Sequence, residues 1–157
     1  MYKKRIFLQL AESLNNDLDI IPLLFGSLGL EQRLNTELFP DDIDVLIPEK
    51  YLNGEWDLFC EYLENLGYKL YNLHEHAFEK DNVSVAFAAI ESLISFAEVD
   101  ISGIPIIVED YIEYYLLELE DYLKVYTASS KDGYRINNKN KQDFEKIKLI
   151  KQAIKID

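Results

Sequence analysis

Asp42 and Asp44 stand two residues apart in the run Asp42-Ile43-Asp44-Val45-Leu46-Ile47, with apolar residues at the alternate positions. In an extended strand successive side chains point to opposite faces, so Ile43, Val45 and Ile47 face one way and both carboxylates the other. Their Cα atoms then lie roughly 6.5 Å apart, and two parallel carboxylates at that spacing can hold one or two hard divalent cations. Upstream, the apolar run Ile20 to Phe25 stops at Gly26-Ser27. A Gly-Ser turn opening a helix suits a phosphate. Gly26 admits it to the backbone, Ser27 offers a hydroxyl, and the following N–H groups point outward from the helix N-terminus. Metal on one side and phosphate on the other is the equipment of phosphoryl or nucleotidyl transfer.

These two pieces need a frame, and the stretch Leu23 to Pro48 supplies its centre: strand, Gly-Ser turn, short helix, loop, strand. Glu31, Gln32 and Arg33 suit the short helix, and Asn35 to Pro40 the loop. Arg33 is read as pairing with a surface acid, with a phosphate contact as the alternative. Ahead of this centre, Ile6, Leu10, Leu14 and Leu18 recur every four residues, flanked by Phe7 and Ala11, which predicts an amphipathic helix with Lys3, Lys4 and Arg5 at its solvated end. Beyond Pro48, Trp56, Phe59, Cys60, Leu63 and Leu66 predict a second helix that Gly67 ends. Tyr68 to Leu73, His74 to Glu79 and Val83 to Ala88 read as antiparallel strands, the last two joined at Lys80-Asp81-Asn82. His74 and His76 would share a strand face, but no third ligand stands near them, so a surface or hydrogen-bonded role is expected. Ile90 to Ala97 reads as a brief helix and Val99 to Val108 as an extended segment. Tyr111, Ile112, Tyr115, Leu116, Leu119, Tyr122 and Leu123 then recur at helical spacing opposite a strongly acidic face. The turn-rich segment Ser129 to Arg135 leads through Lys139 and Lys141 into a last helix with the stripe Phe144, Ile147, Ile150 and Ile154. In this acidic chain, that is where positive charge gathers.

Phe25-Gly26-Ser27 followed at a distance by Asp42-Ile43-Asp44 in an apolar strand resembles the signature of the polymerase-beta-type nucleotidyltransferases, especially the small branch that includes lincosamide and aminoglycoside adenylyltransferases. The order of elements downstream extends a weaker likeness over most of the chain. The resemblance implies that Gly26 and Ser27 contact the triphosphate of a nucleotide substrate and that Asp42 and Asp44 bind magnesium and serve catalysis. It also implies a basic pair followed by an acid where the last helix begins, much as Lys139, Lys141 and Asp143 stand here. Lys131, Arg135 or Lys141 would then neutralise phosphates, the alternative being a solvated basic tail beside the acidic helix. One departure matters. The resembling enzymes carry a third carboxylate on the strand after the metal pair, where it assists deprotonation of the acceptor hydroxyl, and Val83 to Ala88 has none. Glu79, Glu91 and Asp100 are substitutes by proximity in sequence, yet none sits at the expected alternating position.

With 157 residues and 48% hydrophobic content the chain is expected to form one domain over 1–157, with a sheet-containing core to about residue 108 and a helical part beyond. A formal net charge of −13 argues against nucleic acids and anionic membranes as partners and favours a small, cationic acceptor. The single cysteine, Cys60, excludes a disulfide framework and zinc spacing and is expected to be a buried thiol. No apolar run is long enough for a membrane span, which predicts a cytoplasmic protein. The fold expected is α/β, a mixed sheet flanked by helices, with Gly26-Ser27 and Asp42/Asp44 facing one cleft that the C-terminal helices close. The expected function is magnesium-dependent transfer of a nucleoside monophosphate from a nucleoside triphosphate to a small-molecule hydroxyl. The alternative is a non-catalytic nucleotidyltransferase-like binding or partner module of regulatory or antitoxin-like kind. Oligomeric state leaves no mark in the sequence.

Overall fold

The computed structural model describes residues 2–131 and 140–156. The alternating runs become β1 (Leu23–Phe25), β2 (Ile43–Ile47), β3 (Lys69–Asn72), β4 (Ala77–Lys80), β5 (Val83–Ala89), β6 (Ile106–Glu109) and β7 (Ile112–Tyr115). They form one mixed sheet in the order β3-β4-β5-β2-β1-β7-β6. β2 lies antiparallel to β1 and parallel to β5, and β7 runs parallel to β1. The three sequential pairs, β3 with β4, β4 with β5 and β6 with β7, are antiparallel. Helices among the described residues are α1 (Tyr2–Leu18), α2 (Gly26–Leu34), α3 (Trp56–Asn65), α4 (Ser92–Ala97), α5 (Leu119–Ser130) and α6 (Asn140–Ile156).

Register decides what each face of the sheet holds. Ile43 lies opposite Val85 and Val45 opposite Phe87, so these side chains share one face, with Phe78 of β4 joining them. The buried faces of α1 (Ile6, Phe7, Leu10, Ala11, Leu14) and α3 (Phe59, Leu63) cover it, as their periodicity requires. Phe59 and Phe78 both meet Phe87 edge to face, at centroid distances of 5.2 and 5.8 Å, the preferred geometry of aromatic pairs. Gly67, at φ +98°, ends α3 as expected: its N–H reaches Glu64 O and the next N–H, from Tyr68, reaches Leu63 O, both at 3.0 Å. On the opposite face Leu23 and Leu46 pack with Leu30, Leu93, Tyr122, Val125 and Ile150, contributed by α2, α4, α5 and α6. From Leu46 back towards Asp44 this cover thins and the face opens into a cleft.

Four expectations are corrected. The helix read from Tyr111 to Leu123 is instead the β6–β7 hairpin followed by α5, so the sheet continues to Tyr115 rather than ending near residue 108. Asp110 and Tyr111 make its tight turn, both at positive φ, and Tyr111 is almost wholly in solvent. His74 and His76 fall in the turn between β3 and β4, so they share no strand face. Phe144 is 54% exposed while Ile150 alone of that stripe is fully buried. Cys60 is half-buried, and burial followed by the charges of Glu64 and Asp57 raises its thiol pKa.

Candidate functional site

The Gly-Ser turn and the carboxylate pair meet because β1 and β2 are antiparallel neighbours in which Phe25 pairs with Asp44. α2 starts directly from the end of β1, and Gly26 makes the bend with φ +62°. A Cβ there would fall on the Asp44 carboxylate, so glycine is required twice, for its backbone angle and for the approach of Asp44. Gly29 is needed for a different reason. A Cβ on it would collide with the Tyr122 hydroxyl and the Leu24 carbonyl, which are themselves hydrogen bonded at 3.3 Å. Tyr122 is fully buried, and burial raises its phenol far above the ordinary range. Its ring continues a stack from Phe25 to Tyr126, with centroids 6.4 and 6.1 Å apart, that ties α5 to the start of α2.

The far end of α2 is held as well. Arg33 donates to the carbonyls of Leu117 at 2.8 Å and Leu116 at 3.2 Å; among the described residues it pairs with no acid, and it does not line the cleft, so both readings of it are corrected. Gln32 accepts from Lys4 of α1 at 2.8 Å, and Glu31 accepts the Leu38 N–H, which anchors the loop leading to Asp41 and Asp42. The helix is thereby fixed at both ends before any ligand arrives.

The cleft has a volume of about 430 Å³. One wall is Gly26, Ser27, Asp41, Asp42 and Asp44, its floor includes Ala86 and Ala88, and α4, α5 and α6 contribute Phe96, Tyr126, Ser129, Gln142 and Lys146. Gly26, Ser27, Asp42 and Asp44 are thus brought together as expected. Arg135 falls outside the described residues, and so does the side chain of Lys141. Asp143, the acid that follows them, is fully buried and accepts from Ser129 Oγ at 3.1 Å, which joins α6 to α5. Asp42 and Asp44 offer oxygen donors of the kind a hard cation prefers, and such an ion takes its other ligands from water and substrate phosphates. Among the described residues no group of three His, Cys, Asp or Glu side chains is arranged to hold a metal.

On β5 the floor beside Asp44 carries no acid. Ala86 lies opposite Asp44, and Ser84, one pleat earlier on the same face, has its hydroxyl bonded to that of Tyr71. Of the substitutes, Glu91 accepts the Glu49 N–H, and Asp100 accepts from the Ser102 hydroxyl and N–H, bonds that lower its carboxyl pKa. Glu79 sits opposite Ser84, two strands from β2, and does not line the cleft. Three charged residues that do line it were missed, and Asp41, directly before the carboxylate pair, is the first of them. Glu75 comes from the β3–β4 turn, and Lys146 stands with its Nζ 5.1 Å from the Tyr126 ring centre. Lys146 had a usable signal, since Gln142 and Lys146 are four apart on one helix and therefore share a face. Glu75 had none, because only the pairing of β4 with β5 brings it near.

No protein-family model matches the chain. It is 42% identical over 149 residues to the uncharacterised protein YnaI of Bacillus subtilis strain 168, covering 95% of this chain and 96% of that protein. Among solved structures it is similar to the crystal structure of ANT(2")-Ia in complex with adenylyl-2"-tobramycin, with a TM-score of 0.56 and 13% identity over 95% of this chain and 90% of that one. The solution structure of the same antibiotic-resistance factor gives a TM-score of 0.59 and 14% identity, covering 98% and 86%. An antigenic nucleotidyltransferase-like protein from Paracoccidioides brasiliensis gives 0.64 and 16%, covering 94% and 74%. The fold is therefore an α/β fold of nucleotidyltransferase type. Among the described residues no helix is long and apolar enough to cross a membrane.

Proposed function

The chain belongs to one family with YnaI of Bacillus subtilis, and from the architecture of its cleft we propose that it is a magnesium-dependent nucleotidyltransferase acting on a small molecule. The observation that carries this reading is the pairing of Phe25 with Asp44, which sets the Gly-Ser turn against the metal-binding strand. Ser27 and the free N–H groups at the start of α2 hold the triphosphate, with Arg135, Lys141 and Lys146 as its basic contacts. Asp42 and Asp44 hold magnesium, which when bound offsets the charge that develops on the reacting phosphate. The acceptor hydroxyl attacks the α-phosphorus and pyrophosphate leaves. The chain's part in this step is to fix the nucleotide between α2 and the floor of β5 so that the acceptor approaches in line. Asp41 and Glu75 at the cleft, together with the net charge of −13, favour a cationic acceptor and disfavour a nucleic acid. Use of a nucleoside triphosphate suits a cytoplasmic location.

A second reading, a nucleotide-binding or partner module without catalysis, draws on one observation, the alanine beside Asp44. One experiment separates the two. Calorimetry with ATP, GTP, CTP and UTP, each with and without magnesium, is expected to show metal-dependent binding of at least one nucleotide, and a pyrophosphate-release assay over hydroxyl and amine acceptors is expected to show turnover. Binding without turnover favours the module, and no binding at all ends the nucleotidyltransferase reading.

A further inference from the structure

Ala86 faces Asp44 from β5, and Ala77 faces Ala86 from β4, so one row across the sheet runs Asp44, Ala86, Ala77. Ala77 is buried, so the open floor is Ala86 with Ala88, two methyl groups on the strand beside Asp44. At the far side of that floor stands Glu75, two residues before Ala77 and lining the same cleft. Its turn is tightly held. The Glu75 N–H donates to Asn72 Oδ1 at 3.2 Å, the His76 N–H to Leu73 O at 3.1 Å, and the Phe87 N–H of β5 to His76 O at 3.1 Å. Trp56 packs edge-on against the His76 ring at 4.8 Å, and His76 itself is kept at φ +50°, a conformation that a non-glycine residue retains only where its surroundings fix it. The Glu75 carboxylate is exposed and, unlike those of Glu91 and Asp100, accepts no hydrogen bond among the described residues. Asp41, the other acid of the cleft outside the metal pair, directly precedes that pair, whereas Glu75 arrives from the opposite side of Ala86.

Resting on the nucleotidyl-transfer reading, we infer that Glu75 is the general base for the acceptor, supplied by the β3–β4 turn in place of an acid on β5. The acceptor binds over Ala86 and Ala88, between Glu75 and the α-phosphorus. The Glu75 carboxylate takes the hydroxyl proton, the oxygen lone pair forms the new bond to phosphorus, and the bond from phosphorus to the bridging oxygen breaks with its electron pair leaving on pyrophosphate. The exposed carboxylic acid then returns its proton to water.

The test uses the full chain with ATP and magnesium, with tobramycin, glycerol or water as acceptor, and follows pyrophosphate. Glu75→Gln is expected to bind ATP within twofold of wild type by calorimetry and to lower kcat by about 10²–10⁴-fold, the usual worth of general-base assistance. Two rescues are expected that a structural role would not give. Sodium formate should restore turnover to Glu75→Ala, and Ala86→Asp, which places a carboxylate beside Asp44, should restore it to Glu75→Gln. Unchanged kcat in Glu75→Gln, or a loss that neither formate nor Ala86→Asp repairs, overturns the assignment, as does a wild type that binds ATP and turns over none of the three acceptors. Failure of wild type to bind ATP with magnesium strikes the nucleotidyltransferase reading itself.

Discussion

The two faces of β2 are built by opposite means. On one, Ile43, Val45 and Ile47 are fully buried under α1 and α3 beside a cluster of aromatic rings. On the other, Asp42 and Asp44 stand in a cleft to whose floor β5 brings Ala86 and Ala88. The packed core and the open cleft are thereby divided by a single pleat, because a shift of one residue moves a side chain from one to the other. Phe87 and Ala86, adjacent in the chain, should respond to substitution in unrelated ways.

The sharpest check on this division is Phe87→Ala. Removing a buried ring that Phe59 and Phe78 both meet edge to face is expected to cost about 3–5 kcal/mol by urea denaturation while leaving nucleotide affinity per folded molecule unchanged. A matching fall in affinity would mean that the two faces are coupled. Next in size is Asp42→Asn with Asp44→Asn, expected to weaken magnesium-dependent ATP binding by about 100-fold or more, near 2.7 kcal/mol. If calorimetry finds the affinity intact, the metal pair lies elsewhere.

Gly26→Ala crosses the division, since its Cβ would press on Asp44 from a left-handed backbone. We expect a stability loss of about 1–2 kcal/mol together with about a tenfold loss of ATP affinity, read from the same two assays. The smallest effect belongs to a contact away from both faces. Burial raises the Glu109 carboxyl, but the Tyr114 hydroxyl and then Lys4 at 3.0 Å outweigh it, and the net shift is downward. A lowered carboxyl contributes stability above the ordinary carboxylate range and loses it as pH falls through the lowered value. Lys4→Met should therefore cost under about 1 kcal/mol at neutral pH, as partly exposed pairs do, and the gap from wild type should close in acid. A gap that widens in acid would reverse the sign of this argument.

Much of the division was legible in the sequence, because the period of two in Asp42 to Ile47 survives as both pattern and structure. The helices α1 and α3 were legible for the same reason at their own period. The β6–β7 hairpin was not: Tyr111, Ile112, Tyr115 and Leu116 have the spacing of a helix stripe, and a turn made by Asp110-Tyr111 lacks the glycine that would have announced it. In the cleft, Gly26 and Ser27 lie where β1 runs into α2, and Asp42 and Asp44 where β2 begins, so local pattern reached them. Glu75 depends on the register of β4 with β5, and the partners of Arg33 are backbone carbonyls more than 80 residues away. Neither leaves a trace in residue type.

β7 joins β1 through one registered pair, Leu23 with Tyr115, beside a bond from the Tyr115 N–H to Pro22 O at 2.8 Å, whereas β6 and β7 are registered to each other at four positions. The hairpin is a unit more firmly knit to itself than to the sheet it extends, and α5, which follows it, carries Tyr126 and Ser129 into the cleft. Partial opening at this seam would therefore widen the cleft without unfolding β2 or β5, on a timescale slower than side-chain motion and faster than global unfolding. Amide exchange reads it directly. The Tyr115 N–H should exchange well ahead of the Val45 and Phe87 N–H groups, and equal protection of all three would mean that the seam opens only when the whole sheet does.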